Sequence, residues 1–239
     1  MKGKIPTISV IIPTLQEEKY VATILSKLVK INPQIEIIVV DAGSKDNTVK
    51  IAQCFTDKVY TIDGSGISKT KNYGAKQSNG DLLVFLDADV IPPKNFPEKV
   101  FETFKDFKVV GATCNILPAE PRLIETLFFI VHNLLIRILT WFPFLKFKHS
   151  RGEFLAVRKS EFLKVGGFNE SIACLEDHDL ARCLSELGNF VFIKNLTVYE
   201  SMRRIRKSGF FKVVSLWSVN FISYIFRGEP FSKVWKPVR

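Results

Sequence analysis

The chain has 239 residues with 34 Lys+Arg against 24 Asp+Glu, a formal charge of +10, and is 46% apolar, 24% charged and 12% aromatic. This balance excludes a disordered or collagen-like chain, and the length suits one large domain or two small ones whose core needs no staples. Cys54, Cys114, Cys174 and Cys183 form no CxxC or Cys/His ligand pair, which speaks against a disulfide scaffold or a zinc module and for a reducing, cytoplasmic setting.

The N-terminal apolar run reaches Pro13 and then Glu17-Glu18 too soon for a signal peptide. Residues 8–12 (ISVII) and 36–40 (EIIVV) are short β-branched runs of the kind buried in parallel sheets. Between them Val21, Ile24, Leu25, Leu28 and Val29 recur at helical spacing. A second helix is predicted from about Asp46-Asn47 with Ile51, Ala52 and Phe55 inward, then a strand over 58–62. A third helix over 67–78 is expected to stop at Asn79-Gly80 through a left-handed residue. A fourth strand, 81–86, runs into Asp87-Ala88-Asp89. This alternation predicts an α/β fold, a doubly wound and mostly parallel sheet flanked by helices, with ligands at the carboxyl ends of the strands.

The second half changes character. Residues 123–147 are intensely apolar but carry Glu125, His132, Asn133 and Arg137, and 213–226 are uncharged. Both uninterrupted runs fall short of the roughly 20 residues a bilayer span needs. From Glu200 onward nine Lys/Arg face two Glu, so +7 of the +10 lies in the last forty residues. Such clustering suits an anionic partner: a phosphate-bearing substrate, a membrane surface or nucleic acid. No nucleic-acid motif is visible, so a basic nucleic-acid-binding protein is the weaker reading.

Four clusters carry chemistry. Asp87 and Asp89 end a buried strand, where a turn brings both carboxylates toward one hard cation, or where they are merely solvated turn residues. Asp41, with Gly43 and a helix N-cap after it, suits hydrogen bonding to a nucleobase or ribose, and is equally an ordinary strand-to-helix loop. Pro13, Thr14 and Glu17 follow the first strand at the same sheet edge. Glu176-Asp177-His178-Asp179 opens a helix; acids there are favoured by the dipole, but four titratable groups exceed what capping needs, and a general base is the functional reading.

Together ISVIIPTLQEE, IIVVDAGSKDNT, KNYGAKQSNGDLLVFLDAD and RGEFLAVRKSEFLKVGGFNES followed by LEDHDLARCL resemble, in order, the family 2 glycosyltransferases with the nucleotide-diphospho-sugar transferase (GT-A) fold. The resemblance implies a catalytic domain over 1–200, its nucleotide-binding half about 5–112 and its acceptor half about 113–200, with 201–239 a basic helical extension. It implies that Pro13, Thr14, Glu17, Asp41 and Gly43 line the nucleoside pocket and that Lys71 approaches the nucleotide or its phosphates. Asp87 and Asp89 would serve ribose and a divalent cation, Mn2+ or Mg2+, and Asp177 would be the base with Glu176 as neighbour or substitute. Many members carry a His after the strand that follows the acidic motif; here that stretch reads VYESMRR, and Arg203 and Arg204 would grip the diphosphate instead, or form a basic surface turn.

The activity so implied is inverting transfer from a nucleotide-diphosphate sugar, UDP before GDP, to a hydroxyl of a glycan or lipid-linked acceptor. A polyprenyl-phosphate acceptor is the enzymatic alternative. A nucleotidyltransferase is disfavoured because residues 13–18 are not a Gly-rich phosphate loop. The two apolar segments are expected to lie peripherally on an anionic membrane at the cytoplasmic face, or else to be covered within the protein, 123–147 on the sheet and 210–226 in a homodimer.

Overall fold

The structure is a computed structural model and describes residues 6–31, 35–63, 66–141 and 150–234. Eight strands, β1 (Ile8–Thr14), β2 (Glu36–Asp41), β3 (Val59–Thr61), β4 (Leu82–Leu86), β5 (Val90–Ile91), β6 (Val109–Pro118), β7 (Phe154–Arg158) and β8 (Asn189–Glu200), form one sheet in the order β3-β2-β1-β4-β7-β6-β8-β5. β1 and β4 are buried at every residue, as a strand covered on both faces requires. Helices α1 (Val21–Ile31), α2 (Thr48–Gln53) and α3 (Ile67–Gln77) connect β1 to β4 through β2 and β3, and the four strands pair in parallel. The expected first half is therefore present.

The second half inserts β7 antiparallel between β4 and β6, with Leu86 opposite Phe154, and then runs β6 parallel to β8 and β5 antiparallel to it. These later strands are not delineated by the sequence reading. α4 (Phe96–Phe104), α5 (Leu123–Trp141), α6 (Lys159–Lys164), α7 (Glu176–Leu184), α8 (Arg203–Ser208) and α9 (Phe210–Arg227) are the remaining helices among the described residues. Side chains alternate across the sheet. Ile8, Val10 and Ile12 enter a core shared with α1, α4, α5 and α8, while Ile11 enters a second core with Ala75, Phe162, Leu180 and Leu184. Ile205 and Val213, beyond residue 200, belong to the first of these cores.

Two expectations need correction. Gly80 is not a left-handed helix stop: α3 ends at Gln77, Ser78 is extended, and Gly80 is not among the glycines with positive φ. Its need is steric, because a Cβ at Gly80 would stand 2.6 Å from the backbone nitrogen of Ser9 as β1 passes beneath.

The polar residues of the 123–147 segment do not break it either. α5 is a 19-residue helix of mean hydropathy 1.7, long and apolar enough by length and composition to cross a bilayer. Glu125 and Asn133 instead lie on its buried stripe with Phe129 and Ile136. Residues 142–147 of that segment, and 235–239 of the basic extension, lie outside the described residues.

Gly80→Ala is expected to cost about 1–3 kcal/mol through forced backbone displacement, read as a lowered urea midpoint with an unchanged slope.

Candidate functional site

The parallel strands deliver β1, β2 and β4 to one edge, and the loops that leave them are hydrogen-bonded to one another. The Gly43 and Ser44 amides donate to Asp41 Oδ1 at 3.0 and 2.7 Å, and the Thr14 hydroxyl donates to Asp41 Oδ2 at 3.0 Å. Asp41 is fully buried, so its carboxylate fixes the turn that Gly43 makes at φ 89°. A nucleoside contact by Asp41 would add to, or displace, these bonds. The Gln16 amide donates to Ser44 Oγ at 2.6 Å and the Glu17 amide to Thr48 Oγ1 at 2.7 Å. Gln16 itself is held at φ 56°, a left-handed conformation unusual for a residue with a Cβ. Pro13 lies within β1 opposite Val40.

Arg203 joins these loops to the Asp87-Ala88-Asp89 turn. Its guanidinium donates to both oxygens of Glu17, at 2.6 and 2.8 Å, its Nε lies 2.8 Å from Asp89 Oδ2, and it stacks over the Tyr20 ring at 4.6 Å. The fork of donors and the flat face are what distinguish arginine here from lysine. Arg204 lies within the field of Glu200, Asp87 and Asp89; burial pulls its pKa down, partly countered by Glu200.

Asp87 is the unbalanced member. Its Oδ1 is buried without a hydrogen-bond partner, and burial, opposed by Lys71 but reinforced by Asp89, Glu153 and Glu176, pushes its pKa up to about 7. Burial likewise raises Asp89, with Arg203 working against it. An orphaned carboxylate oxygen beside a second carboxylate is a donor set that fits a hard divalent cation. No group of three or more His, Cys, Asp or Glu side chains among the described residues forms a ready-made metal cage. Asp87 and Asp89 would be the protein's share of such a site, with phosphate and water oxygens needed to complete it.

Lys71, with 1% of its surface exposed, is turned inward from α3. Its Nζ donates to Glu176 Oε1 at 3.0 Å, and despite burial the charges of Glu176, Asp87 and Asp177 hold its pKa above the ordinary value. Lys71 thus neutralises the acidic cluster from within, and Glu176 is committed to it. Asp177 accepts a hydrogen bond across 3.0 Å from His178 Nδ1 in the tautomer that carries the proton there. Burial opposes the ionised form of Asp177, but His178 and Lys71 outweigh it and keep the pKa below the usual carboxylate value. Leu175 precedes this helix at φ 63° and turns Glu176 and Asp177 toward the strand edge.

Four participants, Arg151, Glu153, Glu200 and Tyr224, escape the sequence reading. Arg151 lies 3.1 Å from Glu153 and 3.8 Å from Glu200, and its guanidinium stacks on Phe129 at 4.8 Å. RGE at 151–153 and Glu200 both lie in quoted motifs, but no local periodicity tells that these residues meet. Glu200 Oε2 is buried without a hydrogen bond, and its pKa is raised well above the usual by burial and by Glu153. Tyr224 of α9 donates to Asp179 Oδ1 at 2.6 Å, which ties the C-terminal helix to α7.

Comparison with known proteins shows the family and the fold. The model of "Glycosyl transferase family 2" matches residues 9–155. An uncharacterized glycosyltransferase of Haemophilus influenzae is 28% identical over 75% of this chain and 62% of its own length. The undecaprenyl-phosphate 4-deoxy-4-formamido-L-arabinose transferase of Proteus mirabilis is 32% identical over 45% of this chain and 37% of its own. The chain thus spans less than two thirds of either relative. Among solved structures, the mannosyltransferase PcManGT of Pyrobaculum calidifontis, in complex with GDP-Man and Mn2+, superposes with a TM-score of 0.73 over 95% of this chain and 66% of its own, at 16% identity.

Because Asp87 holds its proton to about pH 7 in the native state and gives it up near 3.8 when unfolded, its contribution to stability declines as pH rises between those values. Asp87→Asn in chelator-treated protein is expected to gain on the wild type by on the order of 2 kcal/mol between pH 5 and pH 8, measured by paired urea titrations.

Proposed function

Because the chain belongs to glycosyl transferase family 2, we propose that it moves a sugar, with inversion, from a nucleoside-diphosphate donor (UDP-linked or GDP-linked) to an acceptor hydroxyl in glycan or glycolipid assembly. The observation that carries this reading is the separation of two carboxylate environments on one sheet edge. Asp87 buries an oxygen without a hydrogen bond and burial pushes its pKa up to about 7, with Asp89 raised beside it, whereas Asp177 stays ionised beside His178. Two environments for like groups are what a transferase needs to divide leaving-group stabilisation from proton removal.

In this mechanism Asp177 accepts the acceptor hydroxyl's proton as that oxygen forms its bond to the anomeric carbon and the bond from that carbon to the diphosphate oxygen breaks. His178 holds the Asp177 carboxylate in place, and Lys71 keeps Glu176 from competing with it. The loops of Pro13, Thr14, Glu17, Asp41 and Gly43 form the nucleoside end, and Arg203 and Arg204 face the diphosphate. A divalent cation such as Mn2+ or Mg2+, held by Asp89 and Asp87, would supply charge compensation for the departing diphosphate.

The P. mirabilis relative is named for an undecaprenyl-phosphate substrate, which keeps a polyprenyl-phosphate acceptor as the second reading. Such an acceptor is already an anion and needs no base, so the ionised, oriented Asp177 favours a hydroxyl.

Asp177→Asn is expected to lower turnover on the order of a hundredfold or more while nucleotide affinity, measured on the same sample, stays within a few fold. Wild-type turnover in that variant would remove Asp177 from the mechanism and favour the phosphate acceptor. Separately, EDTA is expected to abolish transfer, and Asp89→Asn to weaken nucleotide-sugar binding in Mn2+ without loss of thermal stability. Full activity under both conditions would exclude the cation.

A further inference from the structure

We propose that α5 and α9 together form a lipid-docking face that lies in the interface of an anionic bilayer, with neither helix crossing it. α5 is divided lengthwise. Glu125, Phe129, Asn133 and Ile136 are buried, whereas Leu127, Ile130, Val131, Leu134, Leu135 and Ile138 are 44–65% exposed. The buried stripe is pinned. The Asn133 side chain accepts from the Ile116 amide at 3.2 Å and donates to the Ile116 carbonyl at 2.8 Å, and Glu125 lies 3.5 Å from Arg206 of α8. Turning α5 across a membrane would tear Asn133 from β6 and carry Glu125 into hydrocarbon without its partner, a costly transfer. Lying flat keeps both contacts and immerses the opposite, apolar face.

α9 extends that face. Phe128 of α5 meets Phe210 and Trp217 of α9, at ring separations of 5.4 and 6.3 Å, so the two helices are neighbours. α9 exposes Phe211, Val219, Ile222 and Phe226, and the last three line a shallow apolar groove with Phe231.

Charge selects the occupant. Across α5, α8 and α9 the one acidic residue is Glu125, buried and ion-paired, whereas Arg137, Lys207, Lys212 and Arg227 are exposed. A second copy of the chain would set cation against cation across the interface. An anionic headgroup layer meets the same arrangement with complementary charge, and apolar residues between the cations insert beneath it. The face also borders the proposed catalytic helix, for the Phe221 ring stands 5.5 Å from His178 and Tyr224 bonds Asp179.

The test is co-sedimentation of the whole chain with phosphatidylcholine vesicles, with and without phosphatidylglycerol, at low and high salt. The expected result is binding to anionic vesicles that falls by about tenfold or more at high salt, as screening of surface charge requires. Alkaline carbonate is expected to release the protein. Ile130→Ser combined with Leu134→Ser, and separately Arg137→Glu combined with Lys212→Glu, are each expected to weaken binding at least fivefold on the scale of lost apolar area and charge. Both variants should keep wild-type melting and nucleotide binding.

Several results would overturn the docking face: no vesicle binding at either salt, carbonate-resistant insertion, binding indifferent to both variants, or a stable dimer dispersed by the serine variant. Vesicle binding by a chain that binds no nucleotide diphosphate leaves this surface standing and removes the transferase reading. Nucleotide binding without vesicle binding does the reverse.

Discussion

The constraint on which the rest of this structure depends is an excess of carboxylates at one edge of a sheet. Glu17, Asp87, Asp89, Glu153, Glu176, Asp177 and Glu200 converge there, and among the described residues Lys71, Arg151, Arg203 and Arg204 are the cations interleaved with them. Burying charge is unfavourable unless pairing and hydrogen bonds offset it, and here the seven carboxyl groups outnumber the four cations and His178. The surplus falls unevenly. Glu176 and Glu17 are ion-paired, Asp177 is held ionised, and the strain is concentrated on Asp87 and Glu200, whose pKa values rise and each of which buries an oxygen without a hydrogen bond. Carboxyl oxygens buried without partners at a strand end, next to loops stitched by Asp41 and Thr48, are the donor set that the proposed divalent cation would use.

Arg203 shows how the chain meets part of that demand itself. The sequence departs from the family resemblance by lacking a histidine after β8, and the structure sets a guanidinium between Glu17 and Asp89 from the helix that follows that strand. A histidine would be a metal ligand. An arginine is a fixed positive charge that bonds carboxylates in pairs and is equally matched to phosphate oxygens. Arg203 adds a fixed positive charge to the acidic edge. It also gives Asp89 a partner and leaves an oxygen of Asp87 without one, which is the asymmetry seen in their surroundings.

What the sequence makes legible follows from how local each signal is. The buried β-branched runs of β1, β2 and β4, and the helical spacing of α1, are patterns within a dozen residues, and they suffice to place Asp41 and Asp87 at strand ends. β6 and β7 are buried along most of their length, which erases the alternation that marks a half-exposed strand, and β8 interrupts its own with the exposed pair Lys194-Asn195. The meeting of Arg151 with Glu200 and of Tyr224 with Asp179 spans 49 and 45 positions of chain and has no local trace. The pairing of Lys71 with Glu176, 105 residues away, has no local trace either.

Among the described residues the two non-glycine positions with positive φ, Gln16 and Leu175, stand directly before Glu17 and Glu176. A left-handed conformation costs such residues roughly 1–2 kcal/mol, and it persists only where surrounding contacts over-determine it. Those contacts are visible: the Gln16 amide is held by Ser44, and Leu175 is followed at once by an acid paired to buried Lys71. In both cases the strained residue redirects the chain so that the next carboxylate faces inward, where Arg203 or Lys71 receives it. The same ion pairs that neutralise the cluster therefore also maintain the backbone turns that build it. Removing either cation would leave a buried carboxylate without its counter-ion at the point where the backbone is strained, so charge and strain would have to be relieved together.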